Sequence, residues 1–158
     1  MSVLVLAEYH KNTLSQATRC AITAAKQLGD VTLLVAGQGV DDVAAQAAAV
    51  DGVNAVLQAD NAAYADMLPE NLSALLVELG KGYSHVLAAA TTTGKDVMPR
   101  VAALLDSSQI SDVIAIKSAD TFVRPIYAGN AIATEQSDDA IKVLTIRSTG
   151  FDAAAAEG

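Results

Sequence analysis

The sequence predicts an α/β fold in three layers, with a parallel β-sheet between helices and an antiparallel addition after it. Two observations carry this prediction. Apolar runs without polar alternation, which are typical of strands buried on both faces, recur up to residue 116. Segments with apolar residues at helical spacing separate these runs, and repeated βα units of this kind form parallel sheets with right-handed crossovers.

Five strands belong to these βα units. They are predicted at 3–6, 31–35, 53–57, 85–90 and 113–116. The run Val3-Leu4-Val5-Leu6 contains no polar residue, so we expect this strand in a buried core between 31–35 and 86–90.

Capping signals predict where the intervening helices begin. Thr13 and Gln16 have capping-box spacing, which indicates the start of the first helix. Asp41 lies near the predicted start of the second helix, where negative charge is favoured. Pro69 suits the first position of the third helix. The loop 91–96 leads into the fourth helix, and we expect Pro99 in its first turn because proline is tolerated there.

The chain changes character after residue 116. Strand candidates at 121–128, 131–134 and 141–147 surround turn-forming residues, and they predict an antiparallel addition at the sheet edge. The Ala-rich segment 151–158 has no helical periodicity, which indicates a linker or a frayed tail. The predicted organisation is therefore an α/β domain over 1–150 and the start of a linker over 151–158.

Composition and charge exclude several classes of protein. The chain has 158 residues, 52% of them hydrophobic, which fits one globular domain rather than a disordered chain. Its formal charge of −8 disfavours nucleic acids and anionic lipid, and its apolar runs are too short to span a bilayer. A single cysteine excludes an internal disulfide, and no residue spacing indicates a metal site.

Two glycine-containing loops resemble phosphate-binding motifs only in part. In the loop 91–96, the Gly94-Lys95 pair suggests a Walker motif, but Ala89 and Asp96 occupy positions that the motif reserves for Gly and Ser/Thr. The loop either binds an anion at a helix N-terminus or simply caps the helix with threonine. Gly37-Gln38-Gly39 lacks a third glycine at Asp42, so we expect no dinucleotide site there.

The nucleophilic and titratable residues form no catalytic constellation. Glu8 and His10 are close enough in sequence for an acid/base pair, but exposed loop residues are the simpler explanation, which we adopt. His85 precedes a buried strand and is expected to be a hydrogen-bonded boundary residue. Cys20 has no adjacent base to activate it. The sequence therefore predicts no catalytic, cofactor-binding or metal-binding residue, and no enzyme activity.

Several motifs nevertheless resemble a known family. They are 4–8, 95–105, 110–116, 150–155 and the specific run Phe122-Val123-Arg124-Pro125-Ile126-Tyr127-Ala128-Gly129-Asn130-Ala131. Together they resemble the alpha (large) subunit of electron transfer flavoproteins along the whole chain. The resemblance implies an alpha–beta heterodimer that carries electrons on FAD. The donors would be flavin dehydrogenases, such as the acyl-CoA dehydrogenases of fatty acid beta-oxidation, and the acceptor a quinone oxidoreductase.

The same resemblance implies how the subunits divide their tasks. The first alpha domain has an adenine-nucleotide-hydrolase-like (Rossmann-like) fold and packs on the beta subunit. The second alpha domain holds most of the FAD contacts, and the beta subunit binds AMP. This chain stops where the first domain ends, as a deliberate domain or a fragment cut at the linker, so we expect no FAD in it. The implied location is the bacterial cytoplasm or the mitochondrial matrix.

A surface for the beta subunit is predicted in the β-rich segment that follows the βα units. Phe122, Arg124 and Tyr127 group there in a chain that is 4% aromatic, and such residues are enriched in interfaces; Asn130 of the same segment is included with them. Alternatively, Phe122 and Tyr127 close the domain's own core. A second function also stays open, a stand-alone nucleotide-binding module like a universal stress protein. Such a module needs a Gly-rich phosphate-binding loop after the fourth strand, and the loop 91–96 contains only Gly94.

Overall fold

The computed structural model describes residues 1–157. Over that range the chain forms four α-helices and eleven β-strands, joined by short loops and 3-10 turns. In chain order they are β1 (Ser2–Leu6), β2 (Tyr9–His10), β3 (Thr13–Leu14), α1 (Gln16–Lys26), β4 (Asp30–Gly37), α2 (Asp41–Ala49), β5 (Val53–Asp60), α3 (Pro69–Gly80), β6 (His85–Ala89), α4 (Thr92–Leu104), β7 (Gln109–Val113), β8 (Ala115–Ser118), β9 (Thr121–Ile126), β10 (Ala131–Gln136) and β11 (Lys142–Ile146).

Six parallel strands form the central sheet, in the order β5-β4-β1-β6-β11-β7. β1 lies between β4 and β6, as the unbroken apolar run predicts. Alternate side chains of β1 enter two separate cores. Val3 and Val5 pack in the core that α1 and α2 cover, whereas Leu4 and Leu6 pack in the core that α3 and α4 cover. The three-layer α/β prediction is confirmed.

The last strand of the central sheet corrects a prediction. The segment 141–147 was expected in the antiparallel addition, but β11 inserts between β6 and β7 and runs parallel to both. The reason lies in its composition, since Val143, Leu144 and Ile146 are completely buried and such a run needs cover on both faces.

The predicted strand 113–116 is in fact divided between two sheets. β7 ends at Val113 in the central sheet, and β8 begins at Ala115 in a small antiparallel sheet of order β10-β9-β8. The backbone N–H of Ile114 donates to the Val123 carbonyl, so the chain changes partners at this residue. The small sheet confirms that an antiparallel addition follows the βα units.

Two helix starts differ from the predictions. Thr13 lies in the short β2–β3 hairpin, and Ser15 is the N-cap of α1, its hydroxyl accepting from the Thr18 N–H at 3.1 Å. The helix α4 begins at Thr92, so Pro99 lies inside it rather than in its first turn. Val97 and Val101, on either side of Pro99, are completely buried, and this packing holds the helix despite the missing backbone donor. The starts of α2 at Asp41 and α3 at Pro69 agree with the capping signals.

The segment after β11 lies against the helices and is not frayed up to Ala155. The Ala154 N–H donates to the Arg19 carbonyl at 3.0 Å, and Arg19 Nη1 donates to the Ala154 carbonyl at 3.1 Å. The Asp51 N–H donates to the Ala155 carbonyl at 2.9 Å. Through these hydrogen bonds and the burial of Ala154, this segment is held to α1 and to the loop after α2. The linker boundary at residue 150 stays a prediction.

Candidate functional site

The carboxyl edge of the central sheet is where ligands bind in this architecture, at the point where the strand order reverses. That point lies between β1 and β6, because α1 and α2 connect strands on one side of β1 and α3 leads across to β6 on the other. Here the Thr91 hydroxyl reaches the Glu8 carboxylate, with Oγ1 at 2.7 Å from Oε1 and 2.8 Å from Oε2. A hydrogen bond to the Glu8 carboxylate therefore joins the loop after β1 to the loop after β6 across this crevice.

The same threonine caps α4. The Gly94 N–H donates to Thr91 Oγ1 at 3.2 Å. Glu8 therefore accepts from the residue that caps α4, near the positive end of the helix dipole. Burial raises the pKa of the Glu8 carboxyl above its usual range, although hydrogen bonds from Thr91 and Thr93 oppose that rise. Of the two interpretations of the loop 91–96, the structure supports capping by threonine.

A second carboxylate occupies the corresponding place at α2. The Asp60 carboxylate accepts from the Gly39 N–H at 3.0 Å and from the Val40 N–H at 3.2 Å. These are the donors that the Gly37-Gln38-Gly39 turn would offer to a phosphate. At the start of α2, an internal carboxylate therefore takes the backbone donors that a bound anion would use, whereas at α4 the Glu8 carboxylate is bonded to the capping Thr91 hydroxyl.

Glu8 and His10 do not form an acid/base pair. Glu8 turns to Thr91, while His10 is exposed on the β2–β3 hairpin. This hairpin is held by Gln46, whose side chain accepts from the Leu14 N–H at 2.9 Å and donates to the Asn12 carbonyl at 2.6 Å.

His85 is the hydrogen-bonded boundary residue that was predicted. Its Nδ1 lies 2.7 Å from Ser84 Oγ, and its Nε2 lies 2.7 Å from the Ala119 carbonyl, which only accepts and so requires the proton on Nε2. The ring also meets Phe122 edge to face, with centroids 6.4 Å apart. Burial lowers the pKa of His85. The histidine thus ties β6 to the small antiparallel sheet.

Cys20 is buried in α1, and burial raises the pKa of its thiol, which suits a core side chain rather than a nucleophile. Among residues 1–157, no group of three or more His, Cys, Asp or Glu side chains is placed to hold a metal ion. In the same range, no helix is long and apolar enough to cross a bilayer.

The structure separates the four predicted interface residues. Phe122 is completely buried against His85, so for this side chain the alternative of a core role is correct. Tyr127 is 78% exposed, at the turn between β9 and β10, and Asn130 is exposed beside it. Both Tyr127 and Ala128 adopt positive φ angles of 52° and 55°, a conformation that non-glycine residues rarely occupy.

Arg124 fixes this turn to the body of the domain. Its guanidinium donates to the Ser111 carbonyl at 2.9 Å, to the Ser111 hydroxyl at 3.1 Å and to the Glu135 carboxylate at 3.1 Å. These bonds join β9 to β7 and to β10. Arg124 therefore positions the surface that carries Tyr127 and Asn130 and is largely engaged within the chain.

Comparison with known proteins identifies the family. The family model for the electron transfer flavoprotein domain matches residues 3–158. Electron transfer flavoprotein subunit alpha of Pseudomonas aeruginosa is 61% identical over 159 residues, covering 100% of this chain and 52% of that relative. The subunit alpha of Paracoccus denitrificans is 53% identical with the same coverage, and the mitochondrial subunit alpha of Dictyostelium discoideum is 43% identical, covering 98% and 46%.

The chain spans about half the length of the curated relatives that it matches, and it corresponds to their N-terminal half. The motif around Arg124 and Tyr127, which carries the resemblance in the sequence, is the same segment that forms the β9–β10 turn. The chain belongs to the electron transfer flavoprotein family, among its alpha subunits.

Proposed function

We propose that this chain is the assembly domain of an electron transfer flavoprotein and binds the beta subunit without performing chemistry itself. The observation that carries the proposal is the exposed β9–β10 turn. Tyr127 and Asn130 lie on the turn after β9, a strand that Arg124 ties to β7 and β10, in a chain that belongs to the alpha subunits. An exposed tyrosine offers a large contact area at a low cost in side-chain entropy, because it has only two χ angles.

In the whole protein, FAD carries the electrons between dehydrogenases, including those of fatty acid beta-oxidation, and a quinone oxidoreductase. The loops that resemble phosphate-binding motifs offer FAD a poor site, because Asp60 already takes the backbone donors at the start of α2 and the Glu8 carboxylate lies against the Thr91 cap of α4. We therefore assign FAD to the remaining half of the alpha subunit and AMP to the beta subunit. The assembly would work in the bacterial cytoplasm or the mitochondrial matrix.

The same two carboxylates argue against the alternative of a stand-alone nucleotide-binding module. A nucleotide phosphate at the start of α2 would have to displace Asp60 from Gly39, and one at the start of α4 would meet the Glu8 carboxylate beside Thr91. Isothermal titration of the chain with AMP and ATP separates the two functions. Saturable micromolar binding of either nucleotide would favour the module.

The assembly role is tested with the cognate beta subunit. Tyr127→Ala should weaken binding about tenfold, as expected for an exposed aromatic anchor, and should leave the thermal midpoint unchanged. Leu104→Ala is the matched control, because Leu104 is also exposed but lies on α4, outside the small sheet. Equal affinities for the wild type and both variants would remove Tyr127 from the interface. A wild-type chain that does not bind the beta subunit would refute the proposed function.

A further inference from the structure

The segment that follows β11 crosses the layer formed by α1 and α2. Ala154 is buried in the core that these helices cover, and its backbone exchanges two hydrogen bonds with Arg19 of α1. The next carbonyl, that of Ala155, accepts from the Asp51 N–H after α2. The chain therefore passes from one helix to the other as a strap, which we define as residues 151–157.

The end of the strap borders an open groove of about 240 Å³. Leu14 of the β2–β3 hairpin lines one side of this groove, and Gln46 and Ala49 of α2 line another. Ala156 and Glu157, the last two residues of the strap, complete its wall. The strap therefore brings the chain directly to this groove.

The groove has a buried apolar lining and walls that are held in place. Leu14 and Val50 line it and are 7% and 4% exposed, whereas Ala49 is exposed. Gln46 ties the hairpin to α2 by its two hydrogen bonds to the backbone of Leu14 and Asn12. Covering the apolar lining would remove further apolar surface from water, which stabilises the fold.

Arg19 offers further hydrogen-bond donors at the same groove. It lines the groove, and its Nη1 donates to the Ala154 carbonyl at 3.1 Å. A guanidinium carries five N–H donors, and within residues 1–157 the Nε and Nη2 groups of Arg19 bond to no acceptor. A backbone that continued past Glu157 into the groove would present its carbonyls to these donors, as the strap already does at Ala154.

We propose that the residues directly following Glu157 in the whole alpha subunit fill this groove, and that they fix the start of its second half to α1, α2 and the β2–β3 hairpin. The curated relatives extend about as far again beyond the half that this chain matches. The occupant should be uncharged and apolar where it faces Leu14 and Val50, because a charge buried there would lack a partner. This inference does not depend on the proposed contact between Tyr127 and the beta subunit.

A segment of the beta subunit is the poorer occupant of the groove. The residues that follow the strap are tethered at the groove wall, and a short tether gives an effective concentration in the millimolar range. A separate chain would instead lose translational and rotational freedom to reach the same small groove.

The reactivity of a cysteine placed in the groove tests the proposal. Ala49→Cys adds a thiol to the groove and little volume. Ala48→Cys is the matched control, because Ala48 is the neighbouring exposed residue of α2 and does not line the groove. The native Cys20 is 4% exposed, so a water-soluble thiol reagent should react at the introduced site, and the wild type supplies the background rate.

The labelling rate is measured in four forms of each variant. These are this chain, this chain bound to the beta subunit, the whole electron transfer flavoprotein, and this chain extended by about ten residues of the whole alpha subunit, which reach up to about 33 Å. A Gly/Ser extension of the same length is the control for tethering alone, because such a linker is flexible and has no apolar side chain. We expect Ala49→Cys to react at least about tenfold more slowly in the natural extension and in the whole protein than in this chain, with Ala48→Cys changed by less than about twofold.

The possible results separate the occupants. Unchanged reactivity of Ala49→Cys in the natural extension overturns the inference, and protection found only in the whole protein then assigns the groove to a more distant part of its second half. Protection of this chain by the beta subunit identifies that subunit as the occupant and also overturns the inference. Equal protection by the Gly/Ser extension, or of Ala48→Cys, shows unspecific shielding and has the same consequence. The affinity for the beta subunit, which tests the proposed function, is measured separately from all of these rates.

Amide hydrogen exchange gives a second measurement that needs no substitution, so it decides the matter even where Ala49→Cys does not fold. The amides of Ala156 and Glu157 should exchange at least about tenfold more slowly in the natural extension than in the Gly/Ser extension. Equal exchange rates in the two extended chains overturn the inference.

Discussion

Leu4→Ala tests the central position of β1 in the sheet. Leu4 is completely buried in the core beneath α3 and α4, and its strand is bonded to β4 on one side and β6 on the other. Truncation of a buried leucine to alanine costs about 2–5 kcal/mol, depending on how far the surroundings collapse into the cavity. Since two hydrogen-bonded neighbours hold β1 in place, we expect the upper part of that range, about 3–5 kcal/mol.

For a domain of this size, such a loss lowers the thermal midpoint by about 6–20 °C. Urea unfolding followed by far-ultraviolet circular dichroism measures the loss, with the m-value expected to stay constant. Leu104→Ala is the matched control, since this leucine is 65% exposed and the same truncation should change the stability by less than about 0.5 kcal/mol. If the two variants unfold at the same urea concentration, β1 is not in a rigid core and the reasoning fails.

Three further predictions concern the edges of the sheet. Because the pKa of Glu8 is raised in the folded chain, ionisation of this carboxyl destabilises the fold as the pH rises. The free energy of unfolding in urea should therefore increase for Glu8→Gln relative to the wild type between about pH 4.3 and 7. A difference between the two proteins that does not change with pH would contradict this. Because burial lowers the pKa of His85, wild-type stability should fall below about pH 6.5; this loss should be smaller in His85→Gln, and parallel curves for the two proteins would remove His85 as its source. Gly94→Ala places a methyl group against the Ala89 carbonyl and should cost about 1–3 kcal/mol in urea unfolding; Gly82→Ala, which makes only ordinary contact, is the control, and an equal effect would show that α4 can shift.

The sequence was sufficient to predict the central strands because local composition decides them. Val3 to Leu6 contain no polar residue, and such a run has no stable place except between two covered faces. The run 142–146 carries a similar signal, but its position after a β-rich segment suggested an antiparallel strand. Which neighbours a buried strand takes depends on contacts far along the chain, and composition does not encode that choice.

The candidate sites show the same limit. Thr13 and Ser15 are both good caps, and only the β2–β3 hairpin, held by Gln46, decides for Ser15. The bond between Glu8 and Thr91 joins residues that are distant in sequence, so neither loop alone predicts it. Phe122 and Tyr127 are both aromatic residues of one β-rich segment, yet one is buried and the other exposed. They differ because the Phe122 side chain lies on the face of β9 that packs in the core, whereas Tyr127 lies in the turn after this strand.

The position of β11 has a consequence for how the protein is synthesised. Among residues 1–157, β11 is the last strand in sequence, yet it is the strand that joins β6 to β7 in the central sheet. Until residues 142–146 emerge, β6 has an open edge and β7 has no partner in that sheet. We expect the nascent chain to stay incompletely folded and open to misplaced strand pairing until residues 142–146 have left the ribosome. Ribosome-bound chains stalled before residue 142 should therefore be protease-sensitive in β7 and need protection by chaperones, whereas chains released after residue 150 should close quickly.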